Sequence, residues 1–329
     1  MEQTSLVEAL FTMINNTASV IKEELSCTYL EAVAETGENI FQSSILQEDI
    51  SELAKKRLEK EYKSVQFDRY SNEEIRKAFQ LAILKGMKEA VQANHEMTPD
   101  TVALFMGYLV SKLTKENPYF SIFDPAVGTG NLLTTILNQN HTKEIDAYGS
   151  DIDDLLIKLA YVTANIQKHT IQFFNQDSLE SLYVDPVDVV VADLPVGYYP
   201  NSIGAAKYEL RSDEGHSYAH HLFIEQSHTY TKEGGYMLFL VPNNLFTSEQ
   251  APKLNDYVKK NSYIQGLIQL PLSMFKNEQS AKSIFILQKK GENVKPPKQA
   301  LLVNLPSFSN KAAMSGIIEK IDGWFESEK

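Results

Sequence analysis

Three acids and a pair of glycines in this chain are placed where they could handle a small ligand. The stretch "FDPAVGTGNLL" sets Asp124, Pro125 and Ala126 ahead of Gly128, Thr129 and Gly130. Two glycines one residue apart allow a backbone to approach a ligand closely. A helix starting behind them would offer free N–H groups to a carboxylate. A dinucleotide fingerprint would need a third glycine at residue 133, which is Leu133, so that cofactor is disfavoured. A P-loop is excluded because no Gly-Lys-Ser/Thr follows. Asp151, in "YGSDID", comes 21 residues after Gly130, the span of one helix and one strand. An acid that binds ribose hydroxyls belongs at about that distance. Asp153 is expected to cap the helix that follows. The third acid, Asp193, ends a run of valines in "VVVADLPVGYYP" and is followed by Leu194 and Pro195, like a buried strand that stops at something chemical.

The elements that must hold these residues can be read from the pattern. From about residue 95, strand-like and helix-like segments alternate: "YFSIFDPA", "NLLTTILNQ", "IDAYGSD", "DDLLIKLAYVTANIQ", "VDVVVADLP", "YAHHLFIEQSHTYT", "GGYMLFLVPNN". Such alternation predicts a mostly parallel α/β sheet with helices on both faces, and the nearly continuous apolar strands agree. Ligands of such sheets bind beyond the carboxyl ends of the strands, where each of the three acids falls. "YIQGLIQLP" and "AKSIFILQKK" read as two later strands, and "SNKAAMSGIIEKIDGWFES" as a C-terminal helix.

Residues 1–93 read as wholly helical. Leu6, Val7, Leu10, Phe11 and Ile14 mark one apolar face, and Leu30, Val33, Ile40 and Phe41 continue the spacing. Ser71-Asn72-Glu73-Glu74 has the form of a capping box. With no catalytic constellation there, the region is expected to be an accessory domain for packing, dimerisation or partner docking, ahead of a second domain over 94–329. Thr98-Pro99 is expected to open the next helix.

The 329 residues carry a formal charge of −12, which argues against autonomous grip on a polyanion and leaves nucleic acid only through a partner or a local basic groove. No apolar run is long enough to span a membrane. The N-terminus lacks the pattern of a secretory signal, and the single cysteine, Cys27, is expected to fill the core of a cytoplasmic protein. His216, His220, His221 and His228 cluster near one helix, but no second set of ligands accompanies them. They are expected to be surface histidines, with no metal site.

The motifs together resemble a family. "DPAVGTGNLL" is similar to the DPACGTGxxL motif of class I S-adenosylmethionine-dependent adenine-N6 DNA methylases, above all the modification subunits of type I restriction systems. "HEMTPDTVALFMGYLV" resembles the family's upstream segment, whose threonine, here Thr98, reaches the cofactor's methionine part. "YGSDID" matches the segment whose acid pairs with the ribose, here Asp151 with Ile152 beside it. "NQDSL" resembles the segment whose acid, here Asp177 followed by Ser178, accepts a bond from the cofactor's adenine amino group. The counterpart of Asp124 lies near the methionine end. "GGYMLFLVPNNLF" and the last two strands resemble the family's closing elements, so the likeness covers roughly residues 95–290. It implies a Rossmann-like domain with a seven-stranded mixed sheet, S-adenosylmethionine as cofactor, and methyl transfer to an amine.

At Asp193 the family carries Asn/Asp-Pro-Pro-aromatic. The first side chain and the following backbone carbonyl orient an exocyclic amine, and the aromatic stacks on a base taken out of its helix. Here Asp193 keeps the acceptor, Leu194 still offers its carbonyl, and Pro195 keeps the second proline. Leu194 replaces the first proline, however, and Val196 stands where the ring belongs. Tyr198 or Tyr199 could substitute, with Gly197 giving the loop freedom, and Asn243 and Asn244 could line the substrate side. The resemblance therefore implies an N-methyltransferase, with two alternatives. One is a binding or regulatory protein that keeps the cofactor pocket; the other is an enzyme methylating an amine on a protein or small molecule.

Overall fold

The computed structural model describes residues 5–89 and 97–328. The domain boundary expected between residues 93 and 94 lies outside the described residues. Four helices lead the chain: α1 (Leu6–Leu25), α2 (Tyr29–Gln42), α3 (Glu52–Lys63) and α4 (Asn72–Glu89). Their starts are set by side-chain caps. Ser5 accepts from the Glu8 N–H, Thr28 and Glu31 form a reciprocal capping box, and Ser71 and Glu74 form the one expected from the sequence. Leu10, Ile14, Ile21, Val33, Phe79 and Ile83 are buried together, as their helical spacing predicts. Leu6 and Phe41 are exposed instead, because they sit in the end turns of α1 and α2. Cys27 is partly buried against this core, and burial pushes its thiol up.

After α5 (Asp100–Leu113), strands and helices alternate: β1 (Tyr119–Asp124), α6 (Asn131–Gln139), β2 (Glu144–Asp151), α7 (Asp154–Ile166), β3 (Ile171–Asn175) and β4 (Val187–Asp193). Then come α8 (Ser202–Ala205), α9 (Ala219–Thr229), β5 (Thr231–Pro242), α10 (Ala251–Asn261), β6 (Ser262–Gln269), β7 (Lys282–Lys289), β8 (Leu301–Asn304) and α11 (Lys311–Glu328). The sheet order is β3-β2-β1-β4-β5-β7-β6-β8. β1, β4 and β5 pair in parallel, β7 is antiparallel to both β5 and β6, and β8 is parallel to β6. The α/β architecture is as expected, but the sheet has eight strands and not seven. The extra one, β8, is four residues long and lacks the length or alternation that announces a strand.

The described chain packs as two units. One comprises the chain to Leu104 with Val127–His141 and Gly149–Gln176; the other comprises Phe105–Ala126, Thr142–Tyr148 and the chain from Asp177 onward. In the first unit α2 lies close against α7. A Cβ on Gly37 would come within 2.7 Å of Val162 Cγ2, so only glycine permits this approach. Lys158 of α7 pairs with Glu35 and Glu38 of α2 at 2.6 and 3.0 Å. Among the described residues no helix is long and apolar enough to cross a membrane.

Candidate functional site

In the first unit the glycine loop is built around Asp151. The Val127 N–H donates to the Ser150 carbonyl (3.0 Å) and the Gly130 N–H to the Val127 carbonyl (2.8 Å), closing the turn before α6. Gly128 (φ +52°) and Gly130 (φ +77°) both take the left-handed conformation. A Cβ on Gly130 would press on Ala160 at 3.2 Å, whereas one on Gly128 would meet nothing within 4 Å among the described residues. The Gly128 N–H donates to Asp151 Oδ2 at 2.9 Å, and the Asp153 N–H to Oδ1 at 3.0 Å. A carboxylate has about four acceptor positions, so Asp151 keeps room to accept from a hydroxyl as well. Burial raises the Asp151 carboxyl above its ordinary range, and the Asp153 and Gly128 N–H groups oppose that. Asp153 caps α7 through the Leu155 and Leu156 N–H groups, as expected. Ile152 is 72% exposed. Thr98 and Thr129 are buried, and the Thr98 carbonyl accepts from Asn131 Nδ2 at 3.1 Å.

In the second unit Asp124 ends β1, buried, with Oδ1 accepting the Ala126 N–H at 3.0 Å. The Pro125 carbonyl accepts from Ser178 Oγ at 2.5 Å, so this hydroxyl ties the two segments together. Asp177 accepts the Leu179 N–H on Oδ1 (2.9 Å) and the Tyr199 hydroxyl on Oδ2 (2.6 Å). Burial, with Asp177 beside it, holds that phenol far above its ordinary range.

Asp193 closes β4, and its Oδ1 accepts from Lys282 Nζ at 2.8 Å. Leu194 continues the ladder: its N–H donates to the Leu240 carbonyl at 3.2 Å and its side chain is buried. Proline has no N–H to donate there. The same exit recurs twice. Gln269-Leu270-Pro271 leaves β6 with the Leu270 N–H on the Lys282 carbonyl, and Asn304-Leu305-Pro306 leaves β8 with the Leu305 N–H on the Gln269 carbonyl. Leu270 and Leu305 are buried as Leu194 is. Leucine in the first proline's place is thus a strand-ending device of this sheet.

The loop beyond is pinned and not free. The Gly197 carbonyl accepts the Ala219 N–H and the Tyr199 N–H donates to the Ser217 carbonyl, both at 2.9 Å. Tyr199 turns into the protein. Tyr198 is 61% exposed and stacks on Tyr218 with centroids 5.0 Å apart. Asn243 accepts from Ser283 Oγ at 2.7 Å and lines a cavity of 590 Å³ with Gln269, Asn304 and Lys320, while Asn244 is exposed.

The surface reading of the histidines is corrected. His220 and His221 are buried in the first turn of α9, edge to face at 4.9 Å, and burial lowers them to about 4 and about 3. His228 is partly buried and only His216 is exposed. Among the described residues no group of three or more His, Cys, Asp or Glu side chains could hold a metal ion. Sequence reasoning missed Lys282. The available signal was the charge of Lys282 ahead of the apolar run "IFIL" in β7.

Comparison with known proteins gives two family matches, the YtxK N-terminal helical domain over residues 8–87 and the N-6 DNA Methylase family over residues 87–318. The uncharacterized protein YtxK of Bacillus subtilis (strain 168) is 50% identical over 328 residues, covering 99% of this chain and 100% of that protein. A Listeria monocytogenes protein proposed as a class I S-adenosylmethionine-dependent methyltransferase has a crystal structure that matches with a TM-score of 0.91. It is 47% identical, over 98% of this chain and 100% of that one. The methyltransferase subunit of a type I restriction-modification system from Streptococcus thermophilus shares the fold at TM-score 0.66 and 19% identity, over 96% of this chain and 74% of that one.

Proposed function

The chain belongs to the N-6 DNA methylase family of S-adenosylmethionine-dependent methyltransferases, and from that premise we propose that it methylates an amine acceptor at Asp193, with S-adenosylmethionine as its cofactor. The residues present suit that group. The space beside Gly128 is open, Asp151 is held by two backbone N–H groups with lone pairs to spare, and Ile152 exposes an apolar side chain next to it. In this reading Asp151 takes the ribose hydroxyls and Asp177 the adenine amino group. Thr98, Asp124, Pro125, Ala126 and the Gly128-Thr129-Gly130 backbone take the methionine part, and Ile152 and Ser178 shape the adenine side.

The cofactor supplies an electrophilic methyl group on a sulfonium sulfur. The chain's own part is positioning. Asp193 and the Leu194 carbonyl accept hydrogen bonds from the two N–H groups of the acceptor amine, which aligns its lone pair, and Pro195 stiffens the exit. The charge of −12 favours an acceptor other than long bare nucleic acid, or nucleic acid delivered by a partner that docks on the helical domain. The observation that carries the reading is the retained acid at the end of β4 within a family match over residues 87–318. A tritiated-methyl assay against DNA, RNA and cell extract tests it. Label should transfer with the parent protein and fall by about two orders of magnitude with Asp193→Ala, since one positioning acceptor is lost. Equal label with both proteins would remove Asp193 from the reaction.

One observation favours a second reading. Lys282 already engages Asp193, which suits a protein that binds cofactor but has lost base methylation. Cofactor binding with no transfer to any of the three pools would select it.

A further inference from the structure

Arg76 lies in α4, yet its side chain is almost entirely enclosed, at 3% exposure. A guanidinium in such a place is costly unless its donors are met, and here they are met unusually fully. Nε and one terminal nitrogen hold both oxygens of Glu73 at 2.8 and 2.6 Å. The same terminal nitrogen reaches Asp100 Oδ1, in the first residue of α5, at 2.5 Å. The other donates to Asn131 Oδ1, in the first residue of α6, at 2.7 Å. Burial opposes the charge, but Glu73 and Asp100 outweigh it and hold Arg76 above its ordinary range.

The bond to Asn131 has a directional consequence. By occupying the carboxamide oxygen, Arg76 leaves the NH₂ of Asn131 aimed at the Thr98 carbonyl, which it meets at 3.1 Å. One guanidinium thereby fixes the residue directly after Gly130 and, through it, the backbone of Thr98. Gly130 caps α6 with no side-chain bond, so the start of this helix depends on its neighbours for orientation. Lys158 offers a contrast. It also ties a leading helix to the rest of the unit, but it is more exposed and its ion pairs are with Glu35 and Glu38.

We infer that Arg76 is a positioning residue for cofactor binding, through which the N-terminal helical region builds part of the cofactor site. This rests on the cofactor reading given above. Arg76 is not a catalytic residue: it acts through Asn131 and Thr98.

The test uses the full chain with Arg76→Met, Arg76→Lys, Asn131→Asp and Lys158→Met. Asn131→Asp keeps an acceptor for Arg76 but removes the donor to Thr98. Titration calorimetry with S-adenosylhomocysteine should show binding weakened by about tenfold to a hundredfold in Arg76→Met, the scale of a lost hydrogen bond to a charged group. Asn131→Asp should lose a similar factor, Arg76→Lys should recover part of it, and Lys158→Met should stay within about twofold even where its melting temperature falls. Affinity unchanged in both Arg76→Met and Asn131→Asp, or an equal loss in Lys158→Met, would overturn the inference. Amide hydrogen exchange over residues 97–104 and 127–134 without any ligand provides the second readout. Exchange should quicken in Arg76→Met and Asn131→Asp and not in Lys158→Met. A parent protein that binds no S-adenosylhomocysteine would refute the cofactor reading, whereas unchanged exchange in those two segments would refute the role of Arg76.

Discussion

Lys282 Nζ stands 2.8 Å from Asp193 Oδ1, and both side chains are 17% exposed. The two residues belong to strands on either side of β5: Asp193 pairs with Leu240 of that strand, and Lys282 pairs with its Pro242. An acceptor amine offered to Asp193 therefore meets a carboxylate that already holds one ammonium. Because water reaches the pair poorly, removing one partner should cost more than removing both. Asp193→Asn and Lys282→Met are each expected to lower stability by about 2 kcal/mol, and the double variant by less than either alone. Urea unfolding of the four proteins measures this. A coupling energy below about 0.3 kcal/mol would mean that the pair does not form in solution.

Gly128→Ala separates backbone strain from lost ligand space. At φ +52° an alanine is strained by about 1 kcal/mol, but its Cβ meets no atom of the described residues within 4 Å. Stability should fall by roughly that amount, while affinity for S-adenosylmethionine falls by more than about tenfold, because the methyl group enters the proposed cofactor space. An affinity loss no larger than the strain predicts would place the cofactor elsewhere.

Tyr198 and Tyr199 should part company on mutation. Tyr198 presents its ring to solvent against Tyr218, and Tyr199 spends its hydroxyl on Asp177. Tyr198→Ala is expected to raise the acceptor's KM by about tenfold, the value of one aromatic stack, and to leave cofactor affinity alone. Tyr199→Phe should weaken cofactor binding a few-fold through Asp177 and leave the acceptor's KM unchanged. Steady-state kinetics and calorimetry on the two variants check the split, and a reversed pattern would exchange their roles.

Much of this was legible from residue order because strand ends carry local signals. The valines of β4, the glycines of the loop and the spacing from Gly130 to Asp151 each follow from chain geometry, and the expected caps at Ser71 and Asp153 form. What escaped reading is contact between segments distant in sequence. Nothing near Lys282 announces Asp193, 89 residues away, and nothing near Arg76 announces Asn131, 55 residues away. Leu194 was a misleading case. Beside a family motif it looks like a lost proline; beside Leu270 and Leu305 it is the third copy of a strand exit whose N–H extends the ladder and whose side chain fills the core.

The buried histidines predict how stability responds to acid. Burial lowers His169 and His220 to about 4 and His221 to about 3, while in the unfolded chain all three titrate near 6.5. Below that value the unfolded chain binds protons that the folded one refuses. Their contribution to stability is therefore intact above pH 6.5 and is lost as pH falls toward 4, by about 1.4 kcal/mol per pH unit for each fully responding group. The raised carboxyls of Asp151 and Glu225 act in the opposite sense at lower pH, and a comparison between variants cancels them. His221 isolates the effect, because neither of its ring nitrogens has a hydrogen-bond partner among the described residues. His221→Leu should be close to neutral at pH 7.5, since no bond is lost, and should then lose stability less steeply than the parent between pH 6 and 4.5. Urea midpoints across that range decide it: parallel curves for the two proteins would show that His221 already carries a proton in the folded state or is hydrated there.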